Sequence, residues 1–210
     1  MGNVGLLYVG AVLFVNGLML LGVVDGRAAA PINLFVGALQ VVTPTYLIIF
    51  AAGDPRAISL AAGLYLFGFT YLWVGINAVT GWPGTGLGWF SLFVAAAALG
   101  FAVHSAVDLG DRTFGVIWLF WSFLWLLFFL VLGLGIEGLT RFTGWVTVAE
   151  AIGTAAVPAF LLITGHWTDS TPLAVAYLVV GVVVFGGLWF AVGRTPRPTR
   201  PPSSSQPRHA

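Results

Sequence analysis

The charges of this chain sit in a few short clusters, and the gaps between them dictate what it can fold into. No Asp, Glu, Lys or Arg occurs in residues 1–24, 28–53, 57–107, 113–136 or 170–193. About 20 consecutive apolar residues, rising 1.5 Å each, carry a helix across a hydrocarbon core of about 30 Å. The 57–107 interval is long enough for two crossings and divides at the turn-rich GWPGTGLG of 81–88. A further crossing is read at 142–166, where Glu150 is the single acid. The predicted spans are 4–23, 31–51, 60–79, 89–107, 114–134, 142–166 and 173–192. The fold class is therefore an all-α integral membrane protein of seven helices. Strands of an outer-membrane barrel would alternate polar and apolar residues over about ten positions, and these runs do not.

Composition agrees. Of 210 residues 59% are hydrophobic and 7% charged, with a mean hydropathy of +1.00, against about 25% charged in soluble domains. A net charge of +1 excludes a nucleic-acid binder that works by neutralising phosphates. The absence of cysteine excludes disulfides, thiolate metal sites and thiol catalysis. All eight basic residues are arginine, so there is no lysine for a Schiff base and seven helices cannot mean a retinal protein. No cofactor is called for.

The first apolar run resembles a signal peptide only superficially. It lacks a basic n-region and its length of about 20 residues exceeds an h-region, so it is read as a retained helix. With the N-terminus outside, the inner face receives Arg27, Arg141, Arg194, Arg197, Arg200 and Arg208, and the outer face Arg56 and Arg112. The positive-inside bias thus predicts an external N-terminus and a cytoplasmic C-terminus. The Pro-, Arg- and Ser-rich tail at 194–210 is expected to be disordered.

Glu150 leads the candidate chemistry, because an ionisable group inside the bilayer is expensive and by default marks function. Counting from the predicted span ends places Asn16, Gln40, Tyr71, Trp125 and Glu150 at one level, about 16 to 18 Å from the outer edge. Phe67 and Tyr71 are spaced i, i+4, while Phe114, Trp118, Trp121 and Trp125 form one stripe along the fifth helix. Trp82, Trp89, Trp145, Trp167 and Trp189 fit interfacial belts. The stripe instead runs to mid-depth. It is either packing between helices or a narrow aromatic slot for a small, planar, neutral solute, closed to hydrated ions because nothing in it replaces a hydration shell. Glu150 is correspondingly either a helix lock or part of that slot. No metal constellation, Ser–His elbow, Rossmann or Walker pattern is present, so an enzyme is not expected. Pro44 and Pro158 fall inside helices, and Thr154 lies one turn before Pro158. The competing non-transport class is a helical membrane scaffold or sensor whose tail recruits a partner.

These residues resemble the urea-channel and amide-channel family, AmiS/UreI. The matching stretches are LLYVGAVLFVNG at 6–17, INLFVGAL at 32–39, GLYLFGFTYLWVGIN at 63–77, SLFVA at 91–95, IWLFWSFLWLLFF at 117–129 and TGWVTVAEAIGTAAVPAFLL at 143–162. The resemblance covers the first six helices and implies three helical hairpins around a pore in each protomer, with protomers assembled as hexameric rings in a bacterial inner membrane. It implies passive passage of urea or short amides and functional partnership with a cytoplasmic amidase or urease. It assigns constriction roles to Phe67, Tyr71, Trp118, Trp121, Trp125 and Glu150, and places Phe114 where the urea channel carries a further tryptophan. Two departures matter. The outer loops at 52–59 and 108–113 are short, with His104 and His166 as the available titrating groups, so a strong acid gate is not expected. A seventh helix extends beyond the urea channel's end, which points to the amide-transporter branch.

Overall fold

The computed structural model describes residues 2–193. Seven helices long and apolar enough to cross a membrane make up almost all of it. They are α1 (Gly2–Leu20), α2 (Gly26–Ile49), α3 (Pro55–Thr80), α4 (Thr85–Asp108), α5 (Arg112–Gly133), α6 (Glu137–Ile163) and α7 (Thr171–Val192). Consecutive helices alternate in direction, so the 50–54, 109–111 and 164–170 connections share one end of the bundle, here the Asp111 end. The 21–25, 81–84 and 134–136 connections share the other, the Trp82 end. The expectation of a disordered tail falls outside the described residues.

Three of the acidic residues that punctuate the sequence are helix caps. Asp25 accepts from Arg27 N, Asp54 from Arg56 N and Ala57 N, and Asp111 from Phe114 N, each satisfying first-turn donors that have no intrahelical partner. Capping by Asp25 lets α2 begin at Gly26, five residues before the expected 31. Capping by Ser170 starts α7 at Thr171. Gly81, at φ 73°, closes α3 in the left-handed conformation that lets the chain turn straight into α4.

Hydrocarbon offers no hydrophobic reward for bringing apolar helices together, so close backbone packing decides the partners. Three antiparallel pairs result: α2 with α3, α4 with α5, and α1 with α6. Two are hairpins, and the third joins the first and sixth helices to close the bundle. Each has a glycine seam. An added Cβ at Gly37 would lie 2.7 Å from Leu72 N, and one at Gly68 2.9 Å from Gln40 O. Gly10 abuts Ala156 and Gly17 abuts Val148, with Gly144 set against Leu20 and Leu21. Gly88 presses on the Gly133 backbone, and Gly115 on Ala106. Ser122 Oγ also ties α5 to α4 by donating to Ala95 O at 2.8 Å.

α7 stands outside these pairs. It lies against α5 and α6, with Ala174 its one buried residue. Phe120 fills the notch at Gly181, Phe185 packs on Phe120 and Phe123, and Trp189 on Phe142. Its remaining surface is valine- and leucine-rich and exposed on the outside of the bundle.

The seams generate a direct test. Gly88→Val forces the Gly133 backbone to move and should destabilise the bundle by about 1–3 kcal/mol or more, seen as lower yield and thermal stability in detergent. Gly100→Ala, where an added Cβ meets nothing within 4 Å, should leave both unchanged.

Candidate functional site

On α3 the seam and the site occupy different stripes of one helix. Gly68, Leu72 and Gly75 face α2, while Phe67, Thr70, Tyr71, Val74, Asn77 and Ala78 recur at helical spacing and line an internal cavity of about 280 Å³. The cavity runs from Gly26, Trp82 and Gly84 at the Trp82 end to Phe67, Trp121 and Trp125. It is largely apolar, with Asn16, Tyr71, Asn77 and Ser91 among its polar lining residues.

Aromatic rings close its far end. Phe67, 2% exposed, meets Trp125 at 4.8 Å between centroids, Trp121 at 4.9 Å, Trp118 at 5.9 Å and Tyr71 at 6.2 Å. Trp118 stands edge-on to Trp121 at 4.8 Å and stacks on Phe101 at 4.8 Å. Separations in this range are the favoured stacked and edge-to-face contacts of aromatic pairs. The predicted aromatic stripe is therefore part of a plug of touching rings at the end of a wider vestibule.

Polar groups gather beside the plug. Trp121 Nε1 donates to Thr154 Oγ1 at 2.8 Å, and Thr154 Oγ1 donates to the Glu150 carbonyl at 2.6 Å. Thr154 sits in a π-helical turn, Ala151–Ala156, that follows Glu150 directly and precedes Pro158. Such a turn widens the helix and is frequent at functional sites. Thr154 thus links the Trp121 indole to the Glu150 backbone carbonyl. Glu150, 1% exposed, and Tyr71, 2% exposed, lie close enough to interact electrostatically. Neither the Glu150 carboxyl oxygens nor the Tyr71 hydroxyl has a hydrogen-bond partner among the described residues. Leaving a buried polar group unpaired costs about 1–3 kcal/mol, so this pair, one from α3 and one from α6, marks a place built for something that supplies the missing bonds.

Not every expected residue joins this cluster. Asn16 pairs reciprocally with Asn33, at 2.9 and 2.7 Å, near the Trp82 end. Gln40 lies against Gly5 instead, its side-chain amide buried and unpartnered. Seven residues of α2 separate Asn33 from Gln40, about 10 Å of rise, so Asn16 and Gln40 do not share a level. The early start of α2 carries Gln40 outward, and α1 ends at Leu20, only four residues past Asn16. Phe114 lies one turn beyond Trp118 at the Asp111 end, against Trp167 at 5.4 Å. Sequence reasoning missed Asn33 and Asn77, because a polar residue near a predicted span end reads as interfacial, and it left Trp167 in a belt.

The Asp111 end is fastened by carboxylates. Asp169 accepts from Thr113 Oγ1 at 2.6 Å, Thr113 N at 3.0 Å and Arg112 N at 3.4 Å. Burial opposes its ionisation, but the Thr113 hydroxyl and the two backbone donors outweigh it and hold Asp169 below the usual aspartate range. Burial pushes Asp111 the other way, the Phe114 N–H opposing and the charge of Asp169 adding. His104 bridges Ser59 Oγ at 2.9 Å and Asp108 at 2.7 Å, joining α3 to the end of α4.

A membrane bundle with an apolar vestibule, an aromatic plug and buried unpaired polar groups defines a pore for small uncharged solutes, not a catalytic centre. The chain belongs to the AmiS/UreI family of transporters, whose sequence pattern it matches over residues 1–166. It is 55% identical over 210 residues, 98% of its length and 97% of the relative's, to a putative amidate substrates transporter protein of Mycolicibacterium smegmatis. It is 37% identical to the acid-activated urea channel of Helicobacter pylori strain J99, over 77% of this chain and 97% of that one. The crystal structure of the urea channel from Helicobacter pylori superposes with a TM-score of 0.72, covering 80% of this chain and all of that one, at 37% identity. α7 lies beyond the family match.

The opposed shifts of Asp169 and Asp111 set a pH dependence. A lowered folded-state pKa gives Asp169 a stabilising contribution above the ordinary carboxylate range, lost as pH falls through the lowered value. Asp111, raised, contributes with the opposite sign between its ordinary and raised values, more favourable at the acid side. Asp169→Ala should therefore lower the melting temperature by about 2–4 °C at pH 7, and the gap to wild type should narrow at pH 3. Thermal unfolding in detergent at both pH values measures it.

Proposed function

We propose that this protein is a passive channel through which short aliphatic amides or urea equilibrate across a bacterial cytoplasmic membrane. The observation that carries the reading is the contact of Phe67 with Trp118, Trp121 and Trp125 at the end of the vestibule, beside the unpartnered Tyr71 hydroxyl and Glu150 carboxyl. A planar amide passes edgewise between π-faces. Its carbonyl accepts from a hydroxyl or indole N–H, and its NH₂ donates to a carboxyl oxygen. A hydrated ion finds no ring of carbonyls or charges to replace its water. Identity of 55% over nearly the whole chain to a relative named for amidate substrates, against 37% to a urea channel, favours amides over urea.

The pore and selectivity residues are Phe67, Tyr71, Trp118, Trp121, Trp125 and Glu150, with Asn16 in the vestibule wall and Gln40 and Phe114 toward the Asp111 end. The arginine count sets that end outside and the C-terminus in the cytoplasm. By resemblance the protein forms a homo-oligomer, a hexamer, and serves a cytoplasmic amidase or urease. Residues 1–193 form the channel domain, followed by a cytoplasmic tail at 194–210. The gate is weak: His104 is tied on both sides within the fold, and the neighbouring connections are short.

Stopped-flow swelling of proteoliposomes in acetamide, urea and glycerol tests the function, and no amide flux above that of empty liposomes refutes it. Trp121→Ala and Trp125→Ala should assemble, raise water and glycerol passage several-fold and lower amide selectivity. A ring needed only for packing would instead cost assembled protein. Glu150→Gln should retain part of the flux and Glu150→Val lose most of it.

In the same assay, flux should vary less than about tenfold from pH 5 to 7.5, the equivalent of 1.4 kcal/mol on a barrier. A steep rise on acidification that disappears in a His104→Ala, His166→Ala double variant would overturn the ungated reading. A reporter inserted at Asp111 should read external, and one fused after Arg200 cytoplasmic.

A further inference from the structure

The α6–α7 linker brings a side chain that the amide reading has not used against the last ring of the α5 stripe at the Asp111 end. Trp167 meets Phe114 edge to face at 5.4 Å, and Phe114 is the last ring of the α5 stripe before the Asp111 end. Its other neighbour is Tyr177 of α7, at 6.3 Å. Just past it in the chain, Asp169 pins the linker to the first turn of α5 through Thr113. The Trp167 indole nitrogen is itself buried and has no hydrogen-bond partner among the described residues. An indole N–H can only donate. Tryptophans at membrane interfaces ordinarily turn that N–H to a partner or to water, and a purely apolar wedge between Phe114 and Tyr177 would be served equally by phenylalanine.

We propose that Trp167 is a specificity-determining residue at the outer mouth, its indole N–H donating to the carbonyl oxygen of a neutral amide before the solute reaches Trp118. The assignment rests on the amide-channel reading. It also gives α7 a role in the pore. Tyr177 backs the Trp167 ring from one side while Asp169 fixes the linker from the other, so the donor is held rigidly on an otherwise mobile class of segment. The rings that flank it carry no formal charge, which leaves a neutral acceptor as the fitting partner.

Trp167→Phe keeps the ring contacts and removes the donor. In proteoliposomes it should lower acetamide and urea flux about three- to tenfold, the effect of one lost hydrogen bond, with water permeability unchanged. Adding Phe114→Trp in that background places an indole one ring away and should recover much of the loss, which a merely structural role would not produce. Amide flux indifferent to Trp167→Phe, or amide and water flux falling together, overturns the proposal. If Trp167→Phe does not assemble, Phe114→Trp alone decides: a second donor should raise the amide-to-water ratio, and an unchanged ratio overturns it. Wild-type protein without amide flux would refute the transport reading itself, whereas wild-type flux unaffected by Trp167→Phe refutes only this assignment.

Discussion

Close approach of α2 to α3 at Gly37 and Gly68 governs the rest of the molecule. Because Gly68 faces α2, its neighbour Phe67 and the residue three positions on, Tyr71, are both turned to the same side of that contact, by roughly 60–100° about the helix axis. That side is the space between α1, α3 and α5. The same approach brings the α2 backbone at Gln40 against α3, next to Pro44, which has no N–H to give the Gln40 carbonyl. Had a larger residue stood at Gly68, α3 would be displaced or rotated and the Phe67 ring withdrawn from the tryptophans. The seams at Gly88 and Gly10 do the same for α5 and α6. Bringing backbones together on one stripe of each helix leaves bulky side chains to meet on the other.

A second consequence concerns polar groups. Thr154 answers Trp121, Asn33 answers Asn16 and Ser122 answers Ala95, so this bundle is able to satisfy buried polarity where it serves structure. Against that background the unpaired Gln40, Tyr71, Asn77, Glu150 and Trp167 atoms stand out: Tyr71 and Asn77 line the vestibule, and Glu150 interacts with Tyr71 at its aromatic end. Their cost is borne by the packing of the three pairs.

Much of this was legible beforehand, for identifiable reasons. Charge spacing determined the helix count because hydrocarbon excludes charge, and i, i+4, i+7 spacing aligned Trp118, Trp121 and Trp125 because helical geometry is rigid. Depth was less legible. Asp25 caps α2 early, and that shift of a few residues moved Gln40 off the level of Asn16. Helix pairing was not legible from hydropathy, since every span is predominantly apolar and close glycine contacts do most to distinguish partners. Nor was the conjunction of Phe114 with Trp167, which depends on the fold of a linker 53 residues downstream.

The vestibule opens toward one end of the bundle and the rings stand near the other. For a pore without an energy source this lopsided shape cannot act as a ratchet: at equal concentrations the two one-way fluxes must balance, whatever the contour between them. The wide part and the narrow part behave as resistances in series, and almost all of the resistance falls on the few ångströms spanned by Phe67 and the tryptophans. Throughput then depends on passage at those rings, and net direction on which compartment consumes the solute. With such a pore the direction of net flux follows the concentration difference that consumption maintains.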